Sequence, residues 1–317
     1  MRMKRCDLSV VIPIHNEAAN IPALAERLAK TLREMNLRHE VIFVDDGSTD
    51  DSVRKLEAAR ATLLPSMRIL VLSRNFGHQA ALDAGIDHAQ GEAVAMMDGD
   101  LQDPPELLPE LFAKLREGHD GAYAVRASRE GETALKRWGC TVFYRLLSFL
   151  SQVPIPLDTG DFRVISRKLV DAVRDMPERT RFLRGMISWA GFDQVAVPYE
   201  RPGRYKGASS YSWGRLFQLA LDGITSFSVV PLQVCGIAGT LLAAVTAGFA
   251  LFITRLKLLR EHLPWGWSSL VVLITAIGSV QLIALGIIGE YLGRIYKEVK
   301  RRPSYLVKTE IGEPAER

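Results

Sequence analysis

Four short apolar runs punctuate the first hundred positions: Leu8 to Ile14 (LSVVIPI), Val41 to Val44, Arg68 to Ser73 (RILVLS) and Ala93 to Met97. Each is the length of a buried strand, and between them apolar residues step by three and four. Ile21, Leu24, Leu28 and Leu32 fall on one face of a helix that Asn20 can cap and whose first turn tolerates Pro22. Gln79 to Ala89 is a further predicted helix. Strand and helix alternate four times, so the predicted fold class is α/β, a doubly wound and mostly parallel sheet with helices on both faces. A helix over Glu106 to Glu117 and a strand over Gly121 to Arg126 complete this half. An amphipathic helix (Ala134 to Leu150), a helix (Phe182 to Trp189) and a strand (Val195 to Tyr199) follow, and the polar last ten residues are expected to fray.

The pattern changes in the last third. No residue is charged between Asp222 and Arg255, nor between Glu261 and Glu290. Each stretch exceeds the ~20 residues that cross a bilayer. Spans are predicted near Pro231 to Thr254 and Trp267 to Tyr291, with Trp265, Trp267 and Tyr291 as interfacial anchors. Before them, Ser212 to Ser228 has one apolar face and suits a helix lying in the membrane interface. Charge divides at the same place: residues 1–200 carry 26 Lys+Arg against 29 Asp+Glu, net −3, and residues 201–317 carry 14 against 7, net +7. A basic excess that flanks apolar runs points to anionic headgroups rather than nucleic acid. Arg294, Lys297, Lys300, Arg301 and Arg302 outnumber Arg255, Lys257 and Arg260, which places the tail and, across a two-span hairpin, the N-terminal region in the cytoplasm. The run after Met1 to Asp7 is too short for a signal peptide. Cys6, Cys140 and Cys235 have neither metal nor redox spacing and are expected to be reduced. Gly236, Gly239, Ala243, Ala247, Gly278, Gly286 and Gly289 suit close helix packing, hence a homo-oligomer.

The densest chemistry is Met96 to Pro105, MMDGDLQDPP. In extended backbone Asp98, Asp100 and Gln102 point the same way, and oxygen-only donors suit Mg2+ or Mn2+. An ordinary acidic turn is the other reading. Asp45 and Asp46 end the second strand, on the rim where open α/β sheets bind ligands. The first crossover has no G-x-G-x-x-G, which argues against a Rossmann dehydrogenase. Asp161 stands beside Gly160, where a loop is the simplest reading. Arg201, Arg204, Lys206 and Arg215 cluster with Gly203, Gly207, Ser209 and Ser210, a combination that suits phosphate.

The order VVIPIHNE, VDDGSTD, SRNFGHQAAL, MMDGDLQDPPE, TGDFRVISR and RYKGASSYSW, followed by two apolar spans, resembles the family 2 inverting glycosyltransferases that charge a polyprenyl phosphate. The resemblance runs from Leu8 to about Arg302. It implies a GT-A catalytic domain over 1–205 in the cytoplasm, an acceptor loop and interfacial helix over 206–230, two transmembrane helices over 231–293 and a basic tail over 294–317, at the inner membrane. It implies a nucleotide-sugar donor, most simply a UDP-sugar with glucose favoured, and undecaprenyl phosphate as acceptor. Pro13, His15, Glu17 and Asp46 (or Asp45) would hold the nucleoside, with His15 where an aromatic hydroxyl residue often stands. Asp98 would serve ribose or metal, and Asp100 and Gln102 resemble the metal ligands. Asp161 matches the acidic residue beside the acceptor and, with Asp100, is the catalytic candidate. Arg204, Lys206 and Ser209 would clasp phosphate, helped by Arg126, and Ser210 stands where a lysine is common. No Q-x-x-R-W motif of processive synthases is present.

Overall fold

The computed structural model describes residues 6–126, 159–179, 181–200, 230–258 and 267–312. It divides into two compact units, and the first is built on one sheet. Strands β1 (Leu8–Ile14), β2 (His39–Asp45), β3 (Met67–Leu72), β4 (Ala93–Met96), β5 (Gly121–Arg126), β6 (Thr159–Ser166), β7 (Gln194–Tyr199) and β8 (Val307–Ile311) stand in the order β7-β5-β6-β4-β1-β2-β3-β8. The pairings β1–β2, β1–β4, β2–β3 and β5–β7 are parallel, and those of β6 and β8 are antiparallel. All seven residues of β1 are buried, as expected of a central strand covered on both faces. One face packs on α1 (Ile21–Met35), α2 (Ser52–Thr62) and α4 (Leu108–Arg116), with Ile12, Phe43 and Phe162 in its core. The other packs on α3 (His78–His88), α5 (Arg167–Arg174) and α6 (Leu183–Trp189), around Val11, Leu70 and Ile165.

The sequence reading and the structure part company at four places in this unit. The Asn20 side chain does not cap α1; its amide donates to Glu17 Oε2 at 2.5 Å instead. Strand β4 stops at Met96, one residue early. Asp161 lies in no loop but on β6, which runs antiparallel beside β4 with Arg163 opposite Met96. The last ten residues do not fray as a whole, because β8 covers the open edge of β3, where unpaired backbone groups would otherwise face water. Val307, Thr309 and Ile311 alternate with Lys308 and Glu310, and Glu310 accepts from Arg68 Nη2 at 2.7 Å.

The second unit holds α7 (Val230–Leu258) and α8 (Trp267–Val299), which pack on each other. Leu241, Leu251, Leu282 and Leu285 are among their exposed apolar side chains. The expected spans fall within these helices, yet among the described residues no helix is long and apolar enough to cross a membrane. The longest continuous stretch of described side chains, from 277 onward in α8, is broken by Gln281, Glu290 and Arg294. The interfacial helix expected at Ser212 to Ser228 and the helix at Ala134 to Leu150 lie outside the described residues.

Candidate active site

The parallel strands β1 to β4 all end on one rim, and the loops that leave them are tied together. Asn16, in the left-handed region at φ 56°, donates its N–H to Ser48 Oγ at 2.9 Å and accepts from Thr49 N–H at 2.8 Å. His15 is exposed at this rim, with Nδ1 2.9 Å from the Asp46 carbonyl and Nε2 3.1 Å from Asn75 Nδ2. Both oxygens of Asp46 are engaged, by Phe76 N–H at 2.7 Å and Gly77 N–H at 2.9 Å. Asp46 therefore fixes the β3–α3 loop. Asp45 differs: Oδ2 accepts from Ser48 N–H at 3.2 Å, while Oδ1 is buried without a hydrogen-bond partner. Burial pushes its carboxyl upward, against the Ser48 contact. Of the two alternatives, Asp45 is the one with an acceptor left over. Gly47, at φ 65°, lets these turns close, since a Cβ there would lie 2.6 Å from the Arg74 carbonyl carbon. Pro13 is buried within β1 opposite Val44, so any part it plays is through the backbone, and Glu17 accepts from the Asn20 amide.

The MMDGDLQDPP stretch is a turn, not extended strand. Leu101 is buried at φ 64°, and Asp100 Oδ1 accepts from Gln102 N–H at 3.1 Å. A Cβ at Gly99 would come within 2.5 Å of Ile14 Cδ1, so a side chain there would displace the end of that isoleucine. The period-two alignment of Asp98, Asp100 and Gln102 is thus corrected: beyond Met96 the alternation ends, and among the described residues no three His, Cys, Asp or Glu side chains converge as a metal cage. The donor set still fits a hard cation of the magnesium type, which takes one or two carboxylates and completes its shell with water and substrate phosphate. Asp103 braces the turn. It is 2 % exposed, accepts from Asp98 N–H at 3.1 Å, and is met by Tyr199 Oη at 3.3 Å.

Both oxygens of Asp161 are held. Arg184 donates to Oδ1 at 3.2 Å, and His78 Nε2 and Gln79 Nε2 both lie 3.2 Å from Oδ2. His78 also lies 3.5 Å from Asp98 Oδ1, so its ring stands between the Asp161 carboxylate of β6 and the Asp98 carboxylate of the turn after β4. Burial pushes the Asp161 carboxyl up, but Arg184, His78 and Arg163 outweigh it and hold it well below the usual carboxylate range. Desolvation pulls His78 down, yet the hydrogen bond to Asp161 and the charge of Asp98 push it up to about 9. Burial lowers Arg163 to about 10.

Arg126 ends β5, and Arg204, Lys206 and Ser209 lie outside the described residues. His78, Gln79, Arg184 and Asp103 were not singled out from sequence. The first two sit in the SRNFGHQAAL motif and could have been found there; Arg184 begins a helix far along the chain and carries no local signal.

A profile described as Glycosyl transferase family 2 matches residues 9–174. The uncharacterized glycosyltransferase sll0501 of Synechocystis sp. is 45% identical over 302 residues, covering 95% of this chain and 94% of that one. The uncharacterized glycosyltransferase YkcC of Bacillus subtilis is 42% identical over 304 residues, covering 96% and 94%. The SfII prophage-derived bactoprenol glucosyl transferase of Shigella flexneri is 39% identical over 305 residues, covering 95% and 97%.

Proposed function

Because the chain belongs to glycosyl transferase family 2, we propose that it moves a sugar, glucose in the favoured case, from a UDP-sugar to a polyprenyl phosphate with inversion at the anomeric carbon. The observation that carries the reading is the juxtaposition of Asp161, held ionised by Arg184, with Asp98 across β4 and β6 at the C-terminal rim of the parallel strands. The bactoprenol glucosyl transferase name, borne by a relative aligned over nearly the whole chain, supports a polyprenyl acceptor.

Asp45, with its spare buried oxygen, and His15 hold the nucleoside, while Asp46 keeps the adjoining loop in place. A divalent cation, Mg2+ or Mn2+, held by Asp98, Asp100 and Gln102 supplies positive charge for the departing nucleoside diphosphate. The acceptor phosphate, with a second pKa of about 6 by analogy with phosphoserine, is largely dianionic at pH 7 and needs no strong base. Asp161 therefore orients the acceptor or the sugar. Bringing two phosphate groups together is the harder problem, and Arg126, Arg204, Lys206 and Ser209 offset that charge.

The second unit, in this reading, is a two-span hairpin at the inner membrane, its exposed apolar side chains facing lipid. A two-span hairpin would bring both of its ends to one side, and the basic residues after α8 favour the cytoplasm for it. Small residues along α7 and α8 suit a homo-oligomer. A membrane-impermeant maleimide should label a cysteine placed at Leu259 from outside intact cells; labelling only after lysis would refute the hairpin.

The deciding experiment is turnover of UDP- and GDP-sugars by detergent-purified protein with short-chain undecaprenyl phosphate and Mg2+ or Mn2+, beside Asp100→Ala. Transfer of one sugar to the lipid, lost in the variant, is the expected result. A folded protein that consumes no donor with any lipid would overturn the reading.

A further inference from the structure

After α8 the chain is gripped by α3, the helix that begins at the candidate site. Ser304 Oγ donates to Asp83 Oδ2 at 2.9 Å, and Tyr305 Oη donates to Asp87 Oδ2 at 3.0 Å, one helical turn further on. Leu306 then accepts from Ser73 N–H at 2.8 Å, and β8 follows. Asp83 is 1 % exposed, and its other oxygen accepts from Arg181 Nη1 at 2.6 Å. Arg181 also donates to the carbonyls of Arg174 and Met176, which fixes the segment that leads into α6.

Two routes run from Asp83 to Asp161. Along α3, five residues back, His78 and Gln79 hold Oδ2. Through Arg181, three residues on, Arg184 holds Oδ1. Gln79 joins the routes, because its Oε1 accepts from Leu183 N–H at 3.1 Å while its amide donates to Asp161. Hydrogen bonds to charged groups are stronger than neutral ones and favour one rotamer and one helix register over the alternatives.

We propose that Asp83 is a positioning residue that couples the strap Ser304–Leu306 to the ring of side chains around Asp161. The seating of the strap on α3 and the geometry of the acceptor side of the site then move together. The kinetic arm of its test rests on the sugar-transfer reading; the exchange arm does not.

The test uses the full-length protein in detergent and a Ser304→Ala/Tyr305→Phe double variant, which removes two hydroxyls and leaves β8 intact. A Ser304→Thr variant keeps the hydroxyl at Asp83. Amide hydrogen exchange at 78–82 and 183–186 should quicken about fivefold or more in the double variant, with β1 and β2 unchanged. The kcat should fall about tenfold with the donor KM within about twofold, the mark of geometry rather than donor binding. Ser304→Thr should behave as the unaltered chain. Unchanged exchange at 78–82, protection lost evenly over the sheet, or an untouched kcat would each overturn the coupling. If the unaltered protein transfers no sugar, the functional reading falls and the exchange data alone decide the coupling.

Discussion

Two ion pairs of the same chemistry sit at opposite ends of one sheet. Glu40 and Arg68 pair at 3.2 Å with side chains 1 % and 4 % exposed, and Asp161 and Arg184 pair at 3.2 Å with side chains 10 % and 22 % exposed. Around Glu40 lie Ser9 Oγ at 2.6 Å, Gln90 N–H at 2.6 Å and the Arg68 guanidinium, all buried or half-buried. The Asp161 pair instead faces an exposed histidine and a turn that holds Leu101 in the left-handed region. A closed pair is bound to its own neighbours and serves the fold. An open pair keeps charge fixed where a ligand can reach it. Distance alone does not separate the two roles; access and the surrounding donors do.

Removing charge from each pair should break the symmetry in opposite directions. Asp161→Asn should lower sugar transfer about a thousandfold or more, in line with the loss of a key electrostatic group, and should also lower the urea midpoint, because Arg184, His78 and Arg163 lose the carboxylate they face, with transfer per folded molecule the larger loss. An unchanged rate would put Asp161 among structural carboxylates. Glu40→Ala leaves Arg68 with Glu310 as its remaining carboxylate and strips the acceptor from Ser9 and Gln90, and should cost about 1–3 kcal/mol in urea unfolding, with kcat per folded molecule unaltered. A fall in kcat with intact stability would show that the closed end communicates with the rim. Asp103→Asn should weaken the brace on the turn and raise the metal concentration needed for half-maximal transfer about tenfold, as outer partners of ligand residues do.

The smallest effect concerns the closed end and is a matter of pH. Burial pushes the Cys6 thiol up to about 11, with Glu40 adding to the shift. The unfolded thiol ionises near pH 8.5, so between roughly pH 9 and 11 the unfolded state binds fewer protons and stability falls as pH rises. The urea midpoint should drop less over that range in Cys6→Ala than in the unaltered chain. An equal drop would mean that other groups govern the alkaline limb. Iodoacetamide at pH 8 should leave Cys6 unmodified until the protein unfolds.

The strands were legible because parallel strands buried on both faces are written as continuous apolar runs. β1 and β5 fall on the residues read for them, and β2, β3 and β7 differ by one or two at their ends. β6 was not legible as a strand: its Asp161 and Arg163 interrupt the apolar pattern, Asp161 because its partners come from α3 and α6, and Arg163 because it donates to the Gly160 carbonyl of the same strand. β8 was hidden for another reason. Lys308 and Glu310 look solvated in sequence, and only the presence of Arg68 across the edge makes Glu310 a tertiary contact. At the site, the position of Asp45 at the end of β2 could be read directly, whereas Asp98 and Asp100, expected in extended backbone, lie in the turn after β4. The division of labour between Asp45 and Asp46 could not be read, because it depends on which carboxylate meets the Phe76 and Gly77 N–H groups.

The pairing of β3 with β8 joins Arg68 to a residue 242 positions further on. On the ribosome, β3 emerges long before its neighbour exists, and at about 5–20 residues per second the open edge waits on the order of ten seconds or more. During that interval β4 to β7 and the helical unit are also made. A chain that stalls before β8 is made therefore carries an uncovered β3 edge, a template for pairing with other chains.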